Sequence, residues 1–284
     1  MRMPTANGWR TFLSMPAANV RPFEARDIPV AGALLAARHR RHRRHRRLLS
    51  PRYEDPATAE VEVAAAFAVP NASGAVAIYG GELAAFVVGA PRTSPTWGSN
   101  VWIDAAGAAA TEPAALREAY GLAATQWVEQ SRTAHYVLVP ASDHDLLTAW
   151  YRLGFGQQQA HGYQDSLAEC EQDLDNPDYT TFVAEVDGVV IGSSIGCSLR
   201  LASSHPPLTR PEHAGFLTFA AVFPHARGLG AGRALGEAVI GWAEQAGYEC
   251  VVTDWRVTNL LSSRTWPRLG FMESFLRLHR LVGY

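Results

Sequence analysis

The stretch VFPHARGLGAGRALGEAVIGWAEQ, Val222–Gln245, decides the reading of this chain. The run before it, Phe216–Phe223, is apolar and aromatic-rich, as a buried strand would be. Arg227-Gly228-Leu229-Gly230-Ala231-Gly232 then sets three glycines ahead of a helical pattern. A helix N-terminus offers unpaired N–H groups and the positive end of the helix dipole, so it attracts anions. Glycine removes the Cβ atoms that would hold a diphosphate away from the backbone. Each dipole contact contributes only about 0.3–1 kcal/mol at an exposed end, so several amides and Arg227 must act together. A glycine turn can also serve only to pack a helix closely. The dinucleotide pattern G-x-G-x-x-G would require glycine at 233, where Arg233 stands.

Outward from this stretch, the chain repeats itself. WVEQ at 127–130 returns as WAEQ at 242–245, and WYRLGF at 150–155 returns as WPRLGF at 266–271. The offsets differ by one residue, so the two halves stay in register. Upstream, GAVAIYGGELAAFVVGA (Gly74–Ala90) matches TFVAEVDGVVIGSSIG (Thr181–Gly196). Each reads as two strands joined by Gly-Gly or Asp-Gly, a hairpin signal because type I′ turns need positive φ. The expected order in the second half is a hairpin over 181–200, a strand over 214–223, a helix over 230–246, a strand over 250–256, a helix over 261–269 and a strand over 271–282. The first half adds a strand near 20–23 and a helix from Asp27. The fold class is therefore α+β, in two similar lobes, each a mixed and mostly antiparallel sheet flanked by helices. The expected boundary puts one lobe at 1–165 and the other at 166–284.

Composition excludes several chemistries. All 25 basic residues are arginine, so a P-loop and a lysine Schiff base are both absent. Cys170, Cys197 and Cys250 lie far apart with no CxxC, which suggests neither a zinc cluster nor a disulfide framework, and no metal is expected. The start lacks an apolar leader and no run of 18 apolar residues occurs, so no membrane association and a cytoplasmic location are expected. Net charge is −2. It is unevenly spread: Arg38–Arg47 holds seven arginines, and Asp165–Asp178 holds six acids and no base.

These residues resemble the GNAT superfamily of acyl-CoA-dependent N-acyltransferases. Its Q/R-x-x-G-x-G/A motif after a strand ending near Val-x-Pro is met by Val222, Pro224, Arg227, Gly230 and Gly232. A later pattern, asparagine followed eleven residues on by Gly-Phe, is met by Asn259, Gly270 and Phe271. The resemblance covers about 181–284. It implies acetyl-CoA as co-substrate, with the diphosphate on the loop, the pantetheine between two splayed strands, and acetyl transfer to the primary amine of a small molecule. The residues it places on the coenzyme are Ala221, Val222, Arg227, Gly228, Leu229, Gly230, Ala231, Gly232, Arg233 and Asn259. The first half resembles a degenerate copy. Its corresponding segment GAAATEPAALREAYG has no such motif and carries Glu112 and Pro113, so only the second lobe is expected to bind CoA.

Amine acetylation needs a proton removed from an ammonium and a departing thiolate protonated. The tyrosine that many of these enzymes use as acid is replaced by Trp266, whose indole cannot usefully release a proton. A carboxylate position before Val-x-Pro is Thr218. The candidate catalytic residues are therefore Asp254 as base, Ser263 as donor to the thiolate and Trp266 as pocket wall. Asp254 holding Arg256, and Ser262 or Ser263 capping a helix, are the structural alternatives. The arginine run reads first as a solvated helix face, with docking on the acidic connector or on an anionic partner as alternatives. Nucleic acid is disfavoured because no aromatics interleave with the arginines. The chain is expected as a monomer or homodimer. Two other functions stay open: a non-catalytic acyl-CoA sensor, and an RNA-directed acetyltransferase using the arginine helix.

Overall fold

A computed structural model describes residues 19–92, 98–165, 178–202 and 205–282. Its strands are β1 (Asn19–Pro22), β2 (Ser73–Tyr79), β3 (Glu82–Gly89), β4 (Asn100–Ile103), β5 (Ala108–Ala110), β6 (Ala134–Pro140), β7 (Gly156–Asp165), β8 (Tyr179–Val186), β9 (Val189–Ser198), β10 (Ala214–Val222), β11 (Cys250–Arg256) and β12 (Met272–Leu281). Its helices are α1 (Ile28–Arg43), α2 (Pro56–Phe67), α3 (Pro113–Glu129), α4 (His144–Arg152), α5 (Ala231–Gln245) and α6 (Leu260–Arg268). Both expected hairpins form. Gly80, Gly81, Asp187 and Gly188 take positive φ in their turns, as a two-residue type I′ connection demands.

The strands make two sheets, β1-β2-β3-β5 and β4-β6-β12-β7-β11-β10-β9-β8. The repeat is visible in the larger one. Val137 of β6 pairs with Leu278 of β12, and the equivalent residues, Thr253 of β11 and Gly162 of β7, also pair. At the centre, Met272 faces Tyr163 and Gly156 faces His279, again an equivalent couple. Each half thus lends its last strand to the other. β12 lies between β6 and β7 of the first half, and β7 lies between β11 and β12 of the second. No domain cut at the connector leaves both halves with a complete sheet.

Two apolar cores cover the two faces. One holds Trp127, Trp150, Val239, Trp255, Trp266 and Phe271 under α3, α4, α5 and α6. The other holds Leu35, Tyr53, Phe86, Val252 and Phe275 under α1 and α2. Helix α5 sits close to the sheet because small residues let it: a Cβ on Gly196 would lie 2.9 Å from the Trp242 ring. No helix among the described residues is long and apolar enough to cross a membrane.

The arginine run departs from the solvated face expected of it. Arg38, His39 and His42 are buried on α1, each about 2% exposed. Arg38 donates to the carbonyls of Ala105 and Ala108. His39 bonds the Ser50 carbonyl at 2.9 Å, and the His42 ring meets Phe275 edge-on at 4.7 Å. Arg46 donates to the Glu273 carbonyl at 2.8 Å. The run is therefore partly a clamp of α1 on β12. The acidic connector at 166–177 lies outside the described residues.

Candidate acyl-transfer site

The glycine turn is anchored at both ends and bare between them. Ala226 and Ala231 are buried on Ile191 in a small cluster of their own, while Arg227, Gly228, Leu229 and Gly230 are exposed. Gly228 and Gly230 take φ of 86° and 85°, where a side chain is strained. A Cβ on either would meet open space, so conformation and access, not packing, select glycine here. Gly230 is the N-cap of α5 and gives it no side-chain hydrogen bond, and its first turn holds no acidic residue. By contrast Asp55, Asp143 and Asn259 cap α2, α4 and α6 through their side chains. The first N–H groups of α5 are thus left for an external acceptor. Gly232 lies against Val222, with 3.7 Å from its Cβ position to that side chain. Arg233 forms an exposed pair with Glu237 at 2.6 Å, worth little by itself.

Behind the turn two parallel strands part. β10 and β11 pair at Ala214↔Cys250, Gly215↔Val251 and Phe216↔Val252, and no further. Thr253 closes the base of the gap by donating to the Leu217 carbonyl at 3.0 Å. β10 then bulges, its register to β9 slipping between Leu217 and Phe219. The bulged residue is Thr218, exposed, with its hydroxyl 3.3 Å from the Ile195 carbonyl that accepts from it. A bulge leaves its extra residue out of the ladder, so backbone polar groups line the gap. Ala221 and Val222 end the same strand beside the turn.

Asp254 stands two residues past the last β10–β11 rung, on the face opposite Thr253. Its half-buried side chain has its carboxyl pushed above the usual range by burial, with Arg277 pulling part of the way back. The charge it answers is Arg277 on β12, not Arg256, which is exposed. Arg277 is held by Gln158, at 3.0 Å, and by Gln159. Its guanidinium lies 5.3 Å from the Trp102 ring centroid. Burial lowers its pKa to about 10 although Asp254 opposes that shift. A half-buried carboxylate with raised proton affinity beside an opened strand pair is suited to accept a proton from an amine.

The other expected site residues spread to either side. Asn259 is exposed and caps α6, its Oδ1 accepting from the Leu261 and Ser262 amides at 3.2 and 3.4 Å. The cap is therefore Asn259, not Ser262 or Ser263. Ser263 donates from Oγ to the Val257 carbonyl at 3.0 Å. Trp266 is 7% exposed, with its ring 5.9 Å from that of Phe271. Sequence reasoning missed Arg277 as the partner of Asp254. Arg277 lies in the alternating pattern FLRLHRLVGY (275–284), but only the sheet order, with β7 between β11 and β12, decides what it faces. Among the described residues no group of three His, Cys, Asp or Glu is placed to hold a metal.

The first half lacks these features at the matching place. Its strand breaks between Ile103 and Ala108, and Arg38 fills the break. Helix α3 begins at Pro113 behind Glu112, which gives it no side-chain cap. Proline removes one of the donors that an anion would need.

Comparison with known proteins agrees with this architecture. The acetyltransferase (GNAT) family model matches residues 144–271. A GCN5-related N-acetyltransferase from Sphaerobacter thermophilus is 13% identical at a TM-score of 0.53, over 94% of this chain and 97% of that one. A glucosamine N-acetyltransferase region of a fungal multi-domain β-N-acetylglucosaminidase is 14% identical at 0.52, over 94% of this chain and 38% of that one. A tandem GNAT protein from the clavulanic acid biosynthesis pathway is 12% identical at 0.48, over 94% and 99%. Among curated proteins no match was found. The GNAT acetyltransferase family model thus matches the part of the chain that carries the candidate site, and the fold is similar to that of a GCN5-related N-acetyltransferase.

Proposed function

We propose that this chain is an acetyl-CoA-dependent N-acetyltransferase acting on the primary amine of a small molecule, with one coenzyme site, in the second half. The observation that carries the reading is the nearness along the fold of three features: the bare turn at 227–233, the end of β10–β11 pairing at Phe216 and Val252, and Asp254 two residues past that last rung. The residues fit the coenzyme. Uncapped amides of Gly230, Ala231 and Gly232, with Arg227 and Arg233, would hold its diphosphate, as helix N-termini hold anions. The pantetheine arm would run along the backbone of Ala221 and Val222 at the end of β10, with Asn259, the cap of α6 just past β11, as a further contact.

Bound acetyl-CoA supplies an activated acetyl thioester. Asp254 takes a proton from the incoming ammonium, so that the amine lone pair forms the new N–C bond as the C–S bond breaks. The thiolate released takes the second proton that the nitrogen gives up on becoming an amide, so the products are the amide, the free thiol and protonated Asp254. Arg277, fixed by two glutamines, favours the ionised form of Asp254 through its charge. Trp266 serves as a wall and Ser263 as a polar neighbour. Thiol release from acetyl-CoA against a panel of small amines tests the proposal, alongside thermal stabilisation by the coenzyme. Release with at least one amine, lost in Asp254→Asn, is the expected result. Stabilisation without release from any amine would identify a binding module instead, a reading that the buried Trp266 at the usual acid position favours.

A further inference from the structure

The arginine run divides into two sets. Arg38, Arg41 and Arg46 are committed to the fold, through the carbonyls of Ala105 and Ala108, through Asp143 at 3.5 Å, and through the Glu273 carbonyl. The other four, Arg40, Arg43, Arg44 and Arg47, line an open recess of about 510 Å³ together with Glu54. The recess is open to solvent, so charge rather than enclosure would hold a ligand there. Arg40, Arg44 and Arg47 are exposed and Arg43 is half-buried.

The recess is built, not a chance crowding of side chains. Arg43 donates from Nε to the Leu49 carbonyl at 2.7 Å and also pairs with the Glu54 carboxylate. Arg40 donates to the Glu54 carbonyl at 2.5 Å. These bonds tie the end of α1 to the turn that carries Glu54. Charge does not balance there. Four guanidiniums face one carboxylate, and the C-terminal end of α1 adds only about half a negative charge. Guanidinium forks match phosphate oxygens in pairs. Among the described residues, those that line the recess include no aromatic ring on which a base could stack.

We propose that this recess binds a compact, multiply charged oxyanion, an oligophosphate or the phosphate ester of a small molecule. The site stands apart from the acyl-transfer reading, because none of its residues belongs to the turn at 227–233. The test is calorimetric titration of the full chain with tripolyphosphate, a nucleoside diphosphate and a single-stranded RNA oligomer, each with and without saturating CoA. Three proteins are compared: unmodified, Arg44→Ala/Arg47→Ala, and Arg227→Ala as the control for the glycine turn. Loss of two charged contacts should weaken tripolyphosphate or nucleotide binding by about ten-fold or more, at unchanged melting temperature, while Arg227→Ala retains it. Arg44→Gln/Arg47→Gln repeats the comparison with side-chain bulk preserved. Binding equal in the double variants, or absent from the unmodified protein, overturns the proposal. So does a preference for RNA with a salt dependence reporting more than four phosphates. The comparison holds without CoA, so failure of the coenzyme to bind leaves this result readable.

Discussion

Phe216 and Val252 are the last residues to pair between β10 and β11, and Asp254 stands two positions beyond Val252. The carboxylate proposed as the base thus stands just past the point where the strands part. Burial raises its proton affinity, and Arg277 partly offsets that. A base is active when ionised, so the turnover rate should fall as pH drops through a value above the ordinary carboxylate range. Asp254→Asn should lower the rate at saturating acetyl-CoA by about 10²-fold or more, the usual scale for general-base catalysis, and remove that acidic limb. Coenzyme affinity should stay within about two-fold. Steady-state kinetics across pH checks both.

Four buried histidines make a second pH test. Burial lowers the pKa of His39, His135 and His205 to about 4, and that of His42 to about 3. A histidine buried neutral contributes stability that is present above its unfolded pKa, near 6.5, and lost as pH falls toward its folded pKa. The melting temperature should therefore drop steeply between pH 6.5 and about 4, with proton uptake on unfolding. His42→Leu keeps contact with Phe275 and should make that slope shallower by one proton. An unchanged slope would mean that His42 is already charged in the folded protein.

The strand exchange has a mechanical consequence. A chain of residues 166–284 loses β7, so β11 and β12 lose the partner between them. It should be unfolded or aggregated by circular dichroism, and the intact chain should unfold in one cooperative transition. A soluble, folded 166–284 fragment would contradict the shared sheet.

Much of this was legible in the sequence, for particular reasons. The Gly-Gly and Asp-Gly turns announced both hairpins because positive φ is a local demand. Gly228, Gly230 and Gly232 announced the open turn because glycine carries no Cβ to hold an anion off the backbone. The second-half elements fell within about two residues of expectation wherever apolar periodicity ended at a glycine. What stayed hidden was non-local. Helix α2 is dominated by alanine and valine and shows little amphipathic contrast. The placement of β12 beside β6 cannot be read from β12 alone. Arg38, His39 and His42 looked like part of a solvated face because burial of an arginine depends on distant carbonyls, here those of Ala105 and Ala108.

Trp266 separates packing from chemistry. It lies against Phe271 and against Gly236, whose Cβ position is 3.2 Å from its ring. Trp266→Ala should cost about 3–5 kcal/mol of stability, as for other buried aromatics, whereas Trp266→Phe should keep most of the turnover. Denaturant melts with kinetics on both variants distinguish a wall from a reacting group.

The central claim is that uncapped amides at 227–233 hold the coenzyme, and that only the second half does so. Gly230→Val tests it, since a β-branched residue at φ 85° costs roughly 1–2 kcal/mol of backbone strain and covers the donors. Calorimetric titration of acetyl-CoA should give one molecule per chain, bound at least about ten-fold more weakly by Gly230→Val. Two molecules per chain, none, or undiminished binding by Gly230→Val would contradict it.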